Sequence, residues 1–486
     1  MLVQIRDNPV FETLFFAGYF ALKKITCKDS RSVLGSIKKA DFRIAAKQEK
    51  ALKEYHIAII SDELTYENFS KECHVHVLTP NNWKQVFQEN EIDLFFCESA
   101  WNGCKEYDKC WRGRIYKNHK VLFETRKVLF RILNYCEKNE IPTVFWNKED
   151  PTFFGNEKYD FVDTALYFQY IFTTAEECIE MYQKKGHKDV HLMMFGFSPE
   201  LYNPLQSGKK QKKAIFAGSW FGEDEQRCKA EDALFRKVLE DKIPLVIYNR
   251  QSDSNSKKRK FPEVFQQYIH SAISQKQLGK ELKGSRYAIN INTVTDSETM
   301  FARRVYELMA SNVYIISNQS KAMKRQLAGR YSSIEDKIPE DVIAICRDNV
   351  DYVFQNHTNQ IRLTEMLQTI GFRVIKPRVL IAVCIDTVSN ETFVCGNGVE
   401  YEFVNSLEDV SDKHQYFMLW DGKTEVSVEK MIPHFSYLNE MCGIRISREN
   451  LYQVLGDTDN KNVLFPIELL EMIQTNSKVS LKKYYI

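Results

Sequence analysis

A chain of 486 residues corresponds to about three domains at roughly 150 residues each. Its 44% hydrophobic and 13% aromatic content exclude wholesale disorder. Lys plus Arg (67) nearly balance Asp plus Glu (65), so the +2 formal charge excludes a global field that recruits nucleic acid or anionic membrane.

The first 50 or so residues read as charged helices. Their apolar run, Leu14 to Leu22, is shorter than the roughly 20 residues a bilayer span needs and lacks the leader and cleavage site of a secretory signal. It reads as a buried helix, with peripheral membrane contact or partner binding as the alternative. From residue 56 the pattern changes. H-I-A-I-I-S-D (56–62), V-H-V-L-T-P (75–80), D-L-F-F-C-E-S (93–99) and P-T-V-F-W-N (142–147) are short apolar runs closing on polar residues, as buried parallel strands do. Helices are expected over 83–90 and 116–139. Y-I-F-T-T (170–174), a helix over 175–186 and V-H-L-M-M-F-G-F (190–197) continue the alternation, which predicts an open α/β sheet.

Two prolines, a glycine and K-K-Q-K-K then interrupt it over 198–213, and 201–213 reads as a linker. A second α/β series follows: A-I-F-A-G-S-W (214–220), a helix over 224–239, I-P-L-V-I-Y-N-R (243–250), Y-A-I-N-I-N-T-V (287–294), a helix over 300–311 and V-Y-I-I-S-N (313–318). A third unit has strands at 379–386, 391–395, 400–406 and 416–422, with helices over 428–441 and 466–474. The expected organisation is a helical segment 1–54, a Rossmann-like domain 55–200, the linker, a second Rossmann-like domain 214–370 and a smaller α/β unit 371–486. Two tandem α/β domains are expected to face a ligand cleft at the carboxyl ends of their strands.

The twelve cysteines include no C-x2-C pair, and His74 and His76 have no matching ligand pair nearby in sequence, so no metal site is expected and reduced cytoplasmic thiols are. No P-loop, G-x-G-x-x-G, H-E-x-x-H or G-x-S-x-G occurs. Chemistry is therefore sought at strand ends. Gly218 and Ser219 follow a strand and precede a helix, where backbone N–H groups can approach a phosphate. Arg227 and Arg250 are cations available to a diphosphate. In 286–318, Arg304 and Glu307 stand three apart on one helical face, and a carboxylate in a first helical turn can accept both hydroxyls of a ribose.

N-I-N-T-V, R-V-Y-E and L-M-A-S-N-V-Y-I-I-S-N resemble the nucleotide-binding signature of GT-B glycosyltransferases, specifically the CgeB-type, spore-maturation family. W-N-K-E-D-P (146–151), Y-I-F-T-T-A-E-E-C (170–178), M-F-G-F-S-P-E-L-Y-N-P (194–204) and F-A-G-S-W (216–220) extend the resemblance over roughly 55–330. It implies a nucleotide-sugar donor, UDP-sugar first, with Glu307 on the ribose and Arg304 near the phosphates or bracing Glu307. Gly218, Ser219, Arg227 and Arg250 would lie against the diphosphate, with Asn290 and Asn292 at base or sugar. Glu298 and Glu307 depart by one residue from the E-x7-E of retaining enzymes, so stereochemistry stays open.

Glu149 or Asp150 is the candidate general base for a metal-independent transfer. Glu98, Trp101 and Asn102 are candidate acceptor contacts, an indole face being a sugar platform. The expected acceptor is a glycan or cell-envelope polymer, with no specific nucleic acid. The last hundred residues resemble, in outline, a GT-A-type unit whose metal-binding D-x-D is reduced to Asp421 in W-D-G-K. The competing readings are a nucleotide-sugar epimerase or hydrolase, and an idle nucleotide- or glycan-binding scaffold.

Overall fold

The computed structural model describes residues 49–205, 209–252, 256–375, 378–385, 398–422, 428–438, 443–445, 453–455, 462–475 and 484–485. The helices expected over the first 50 or so residues, the run at 14–22 and the strand expected at 391–395 lie outside these residues. The chain divides into two compact units, one comprising Met1–Phe195, Ser297–Met300 and Arg362–Ile375, the other Gly196–Asp296, Phe301–Ile361 and Lys376–Ile486.

In the first unit the strands are β1 (His56–Ile60), β2 (His74–Val77), β3 (Leu94–Glu98), β4 (Thr143–Asn147), β5 (Tyr170–Thr173) and β6 (Val190–Leu192). They form one all-parallel sheet in the order β2-β1-β3-β4-β5-β6. Helices α1 (Glu63–Phe69), α2 (Trp83–Glu89), α3 (Lys127–Lys138), α4 (Phe161–Ala165) and α5 (Glu176–Lys184) connect them. Successive side chains of a strand point to opposite faces. Ala58, Ile60, Phe95, Cys97 and Phe145 accordingly enter one core, and Ile57, Ile59, Leu94, Phe96 and Trp146 the other. The second core is closed by Leu363, Met366, Leu367, Ile370, Phe372 and Val374, which arrive from far along the chain.

The helix expected over 116–139 begins only at Lys127. Residues before it are held as a loop: Lys117 and Asp160 exchange backbone hydrogen bonds at 3.0 Å, and Arg126 and Lys117 both clamp Glu124.

In the second unit, β7 (Gln211–Gly218), β8 (Leu245–Asn249), β9 (Ile269–His270), β10 (Ser285–Asn290), β11 (Tyr314–Ser317) and β12 (Ser332–Ser333) form another all-parallel sheet, ordered β9-β8-β7-β10-β11-β12. Its helices are α6 (Glu225–Glu240), α7 (Gln275–Lys283), α8 (Arg304–Ala310), α9 (Lys321–Gln326) and α10 (Ile343–Asn356). α11 (Asn359–Thr369) follows. α6 buries Leu234, Phe235 and Val238 against Phe216, Ile247 and Ile289. The helix expected from residue 300 starts at Arg304, because Ser297–Met300 is bound into the first unit. There Thr299 Oγ1 donates to the Thr174 carbonyl at 3.0 Å and accepts the Glu176 N–H at 2.9 Å.

The carboxyl-terminal strands are β13 (Val379–Ile385), β14 (Val399–Val404), β15 (Tyr416–Trp420), β16 (Gly443–Arg445), β17 (Gln453–Leu455), β18 (Val463–Pro466) and β19 (Tyr484–Tyr485). They form a separate sheet, β14-β13-β15-β18-β16-β17-β19, parallel among its first three strands and antiparallel beyond.

Candidate functional site

Small residues open a cavity on the face of the second unit's sheet opposite α6. Ala217, Ala288 and Gly279 line it, with Arg250, Arg304 and Glu307 at its polar side. Arg250 follows β8 and is anchored through its backbone N–H to the Gly218 carbonyl at 2.9 Å. Arg304 opens α8 and Glu307 lies one turn in, nine-tenths buried, where the helix dipole favours a carboxylate. Neither the Arg250 nor the Arg304 guanidinium makes a hydrogen bond or ion pair with a described residue. Burial, then Arg250, lower the Arg304 pKa to about 10 against the opposing pull of Glu307, and Arg227 and Arg303 add to the lowering. Four guanidiniums therefore share one neighbourhood with two carboxylates, Glu307 and Glu231, an excess of positive charge that favours a further anion.

The brace on Glu307 is Arg303, not Arg304: Arg303 Nε donates to Glu307 Oε1 at 2.8 Å. The i, i+4 spacing of Arg303 and Glu307 is the signal in the sequence that points to it. Arg227 is already engaged, donating to Thr293 Oγ1 at 2.7 Å and stacking on Phe221 with its guanidinium carbon 5.0 Å from the ring centroid. Its Nε also lies 3.0 Å from Glu231 Oε1, close enough for an ion pair but not aligned as a hydrogen bond. Burial pushes the Glu231 carboxyl up to about 7. Arg259 is packed: it stacks 4.4 Å from the Phe221 ring and pairs with Glu223.

Gly218 is required by the core, since a Cβ there would lie 2.4 Å from Phe216 Cζ. Ser219 is buried beside it. Asn290 and Asn292 are buried too, and their amides tie strand ends together. Asn290 Nδ2 donates to Ser317 Oγ at 3.0 Å, and the Asn292 N–H donates to Asn318 Oδ1 at 2.8 Å. Asn292 Oδ1 accepts the Ala302 N–H at 2.9 Å, fastening the approach to α8. A larger cavity of about 720 Å³ lies between Asp296, Lys321, Lys324, Tyr331 and Asp336, and takes in none of the residues expected to bind a nucleotide.

In the first unit the strand-end carboxylates divide into sealed and half-exposed. Glu98 is fully buried, with Oε1 accepting the Asp62 N–H at 2.6 Å and Lys148 Nζ at 2.8 Å, and Oε2 accepting Thr65 Oγ1. Asp150 is fully buried as well, with Oδ1 accepting Asn147 Nδ2 at 2.8 Å and Oδ2 accepting Thr173 Oγ1 at 2.8 Å and Tyr182 Oη at 3.1 Å. Burial outweighs these donors and pushes its carboxyl up to about 7. Glu149 is half-buried and accepts the Trp101 indole N–H at 3.0 Å. Burial also raises its pKa, against the Trp101 bond and Lys148.

The Trp101 ring is enclosed by Phe153, Tyr159, Phe161 and Tyr116, with centroids 5.1–5.8 Å away, so it serves as a packed wall more than as an open platform. Asn102 is held by its backbone: Asp62 accepts the N–H groups of Trp101, Asn102 and Gly103 at 2.8–2.9 Å. Sequence reasoning missed Asp62 and Lys148. S-D closing a strand and W-N-K-E-D were the only signals, and neither reports a partner 40 residues away.

Among the described residues no group of three or more His, Cys, Asp and Glu side chains is arranged to hold a metal. The edge of the sheet does bring His56 to His76, ring nitrogens 3.0 Å apart, with His74 stacked on His56. Asp421 is matched by Asn462, which donates to its carboxylate at 2.8 Å. No described helix is long and apolar enough to cross a membrane.

No family model and no curated protein matches the chain. Among solved structures it is similar to an alpha-glucosyltransferase in complex with UDP and DNA containing a central A:G mismatch (8% identity, 65% of this chain and 100% of that one, TM-score 0.43). It is also similar to Anabaena Alr3699/HepE in complex with UDP and glucose (11% identity, 65% and 100%, TM-score 0.41). A third is a sucrose-phosphate synthase from Thermosynechococcus elongatus (10% identity, 65% and 98%, TM-score 0.41). Further matches are alpha-glucosyltransferases with DNA containing an abasic site or an HMU base. Because several of these similar structures hold DNA, the expectation of no specific nucleic acid is withdrawn; the net charge of +2 always left a local basic patch open. Two Rossmann-like parallel sheets with an added carboxyl-terminal unit are the architecture expected from the sequence, and the chain has it.

Proposed function

We propose that the protein is a glycosyltransferase of the CgeB type that takes a nucleotide-sugar donor, UDP-sugar first, over its second unit, with phosphate and ribose meeting the small cavity of about 30 Å³ at Arg250, Arg304 and Glu307. The observation that carries this reading is the pair of unpartnered guanidiniums, Arg250 and Arg304, lining one cavity with Glu307. Two cations beside a braced carboxylate suit a diphosphate next to a ribose diol. In this reading Arg303 orients Glu307 toward the ribose hydroxyls and Arg227 adds long-range charge. Gly218, Ser219, Asn290 and Asn292 shape the strand ends that the donor meets.

Glu149 is the residue we assign as general base, since it is half-exposed while Asp150 and Glu98 are fully buried with both oxygens engaged. Its raised pKa moves it toward the range in which a carboxylate both holds and releases a proton. Trp101 positions it. We further propose a cytoplasmic protein in which residues 55–200 meet the acceptor, 214–370 hold the donor and 371–486 serve assembly or acceptor binding. A glycan or other polymer is the acceptor class.

The test is a thermal-shift panel of UDP-, GDP-, CMP- and dTDP-sugars, followed by the same titration on Glu307→Gln. The variant should bind the stabilising nucleotide sugar at least tenfold more weakly with its own melting temperature nearly unchanged. Undiminished affinity would remove Glu307 from the donor site, and no stabilisation by any nucleotide sugar would favour the idle scaffold.

A further inference from the structure

The long loop between β3 and α3 is built as a rigid platform. Asp62 fixes its start, and the Trp111 indole, 1% exposed, donates to the Leu78 carbonyl at 2.7 Å. The backbone bridge of Lys117 with Asp160 fixes its middle, and Glu124 fixes its end by taking up Lys117 and Arg126. Those ion pairs use only two of its cations. Lys105, Lys109, Arg112, Arg114 and Lys120, with Lys127 opening α3, are exposed, and none forms an ion pair with a described residue. The exposed anions of the same stretch are Glu106 and Asp108.

Two aromatic rings stand out among these charges, Phe123 at 59% and Tyr107 at 37% exposure, with Leu122 beside the first. A neighbouring turn contributes Lys158, whose ammonium lies 4.9 Å above the Tyr159 ring. Burial and Tyr159 raise the Tyr116 pKa while Arg112 and Lys158 oppose the rise, which puts both cations near that hydroxyl.

We infer that this loop is a binding surface for single-stranded nucleic acid, with its exposed arginines and lysines on phosphates and Phe123 and Tyr107 stacking on bases. Unpaired cations flanked by exposed rings match the requirements of that ligand. The R-x-R pair at Arg112 and Arg114 adds planar forks suited to discrete phosphate oxygens. An anionic membrane would also attract Leu122, Phe123 and lysines, but it has no use for a guanidinium pair flanked along the loop by separate exposed rings. The surface does not depend on the donor cavity.

The experiment is fluorescence anisotropy of the full chain with labelled mixed-sequence single strands of DNA and RNA across a salt series. Binding should fall with salt, the log–log slope reporting about 0.7 per phosphate neutralised. Arg112→Glu with Arg114→Glu should weaken binding more than tenfold and flatten that slope by about 1.4. Phe123→Ala should weaken it about fivefold or more and leave the slope alone. Four results would overturn the inference: no binding at low salt; an inert double arginine variant; competition by polyphosphate, charge for charge, together with an inert Phe123→Ala; or binding to phosphatidylglycerol vesicles without binding to either strand.

Discussion

Replacing Asp150 by Asn tests whether this carboxylate is a structural group that folding forces toward neutrality. It is fully buried, and although Asn147, Thr173 and Tyr182 all donate to it, burial moves its pKa from 3.8 to about 7. The folded pKa is raised, so the group's contribution to stability is fully present below the unfolded pKa near 4 and is lost as pH rises through about 7. The shift spans roughly 3 units, which at about 1.4 kcal/mol per unit amounts to roughly 4 kcal/mol across that window. Asn cannot ionise, and Asp150→Asn should lack this component. Urea unfolding of both proteins at matched pH between 4 and 7.5 gives the difference directly, because every other titrating group cancels. Asp150→Asn should gain on the natural protein by a few kcal/mol as pH rises. Parallel stability profiles would refute the reasoning and return Asp150 to the list of ionised groups available for chemistry.

Gly218→Ala should destabilise by about 1–3 kcal/mol, as overpacking does, because its new methyl meets the Phe216 ring; Gly218→Ala with Phe216→Leu should recover part of the loss. A thermal melt in which the single variant equals the natural protein would show that the ring yields freely. Asp62→Ala strips the acceptor from three backbone N–H groups and should cost about 2–4 kcal/mol in urea unfolding, with Asp62→Asn intermediate since one oxygen survives.

The strand cores were readable because buried parallel strands announce themselves as short apolar runs ending on polar residues, and β1, β3, β4 and β8 start and stop within two residues of that reading. Helix starts were less readable. The stretch before α3 has helical composition, yet Lys117, Glu124 and Asp160 commit it to a loop through contacts that no local window contains. The site divides the same way. Residue type and strand-end position pointed to Arg250, Arg304 and Glu307. Which arginine braces Glu307, and which acids are sealed by Thr173, Tyr182 or Lys148, depend on packing between elements distant in sequence.

The first unit's second core takes six buried side chains, Leu363 to Val374, from beyond the second sheet, and Lys50–Ala51 pairs with Val374–Ile375 as a parallel bridge. Each such side chain contributes about 1.5–3 kcal/mol when fully buried. During synthesis these six side chains are therefore missing from that core until the ribosome has released residue 375, although the sheet's last strand was finished at Leu192. The unit begun first is therefore completed only after the second sheet has been made, and a fragment ending in the linker would lack those six side chains permanently.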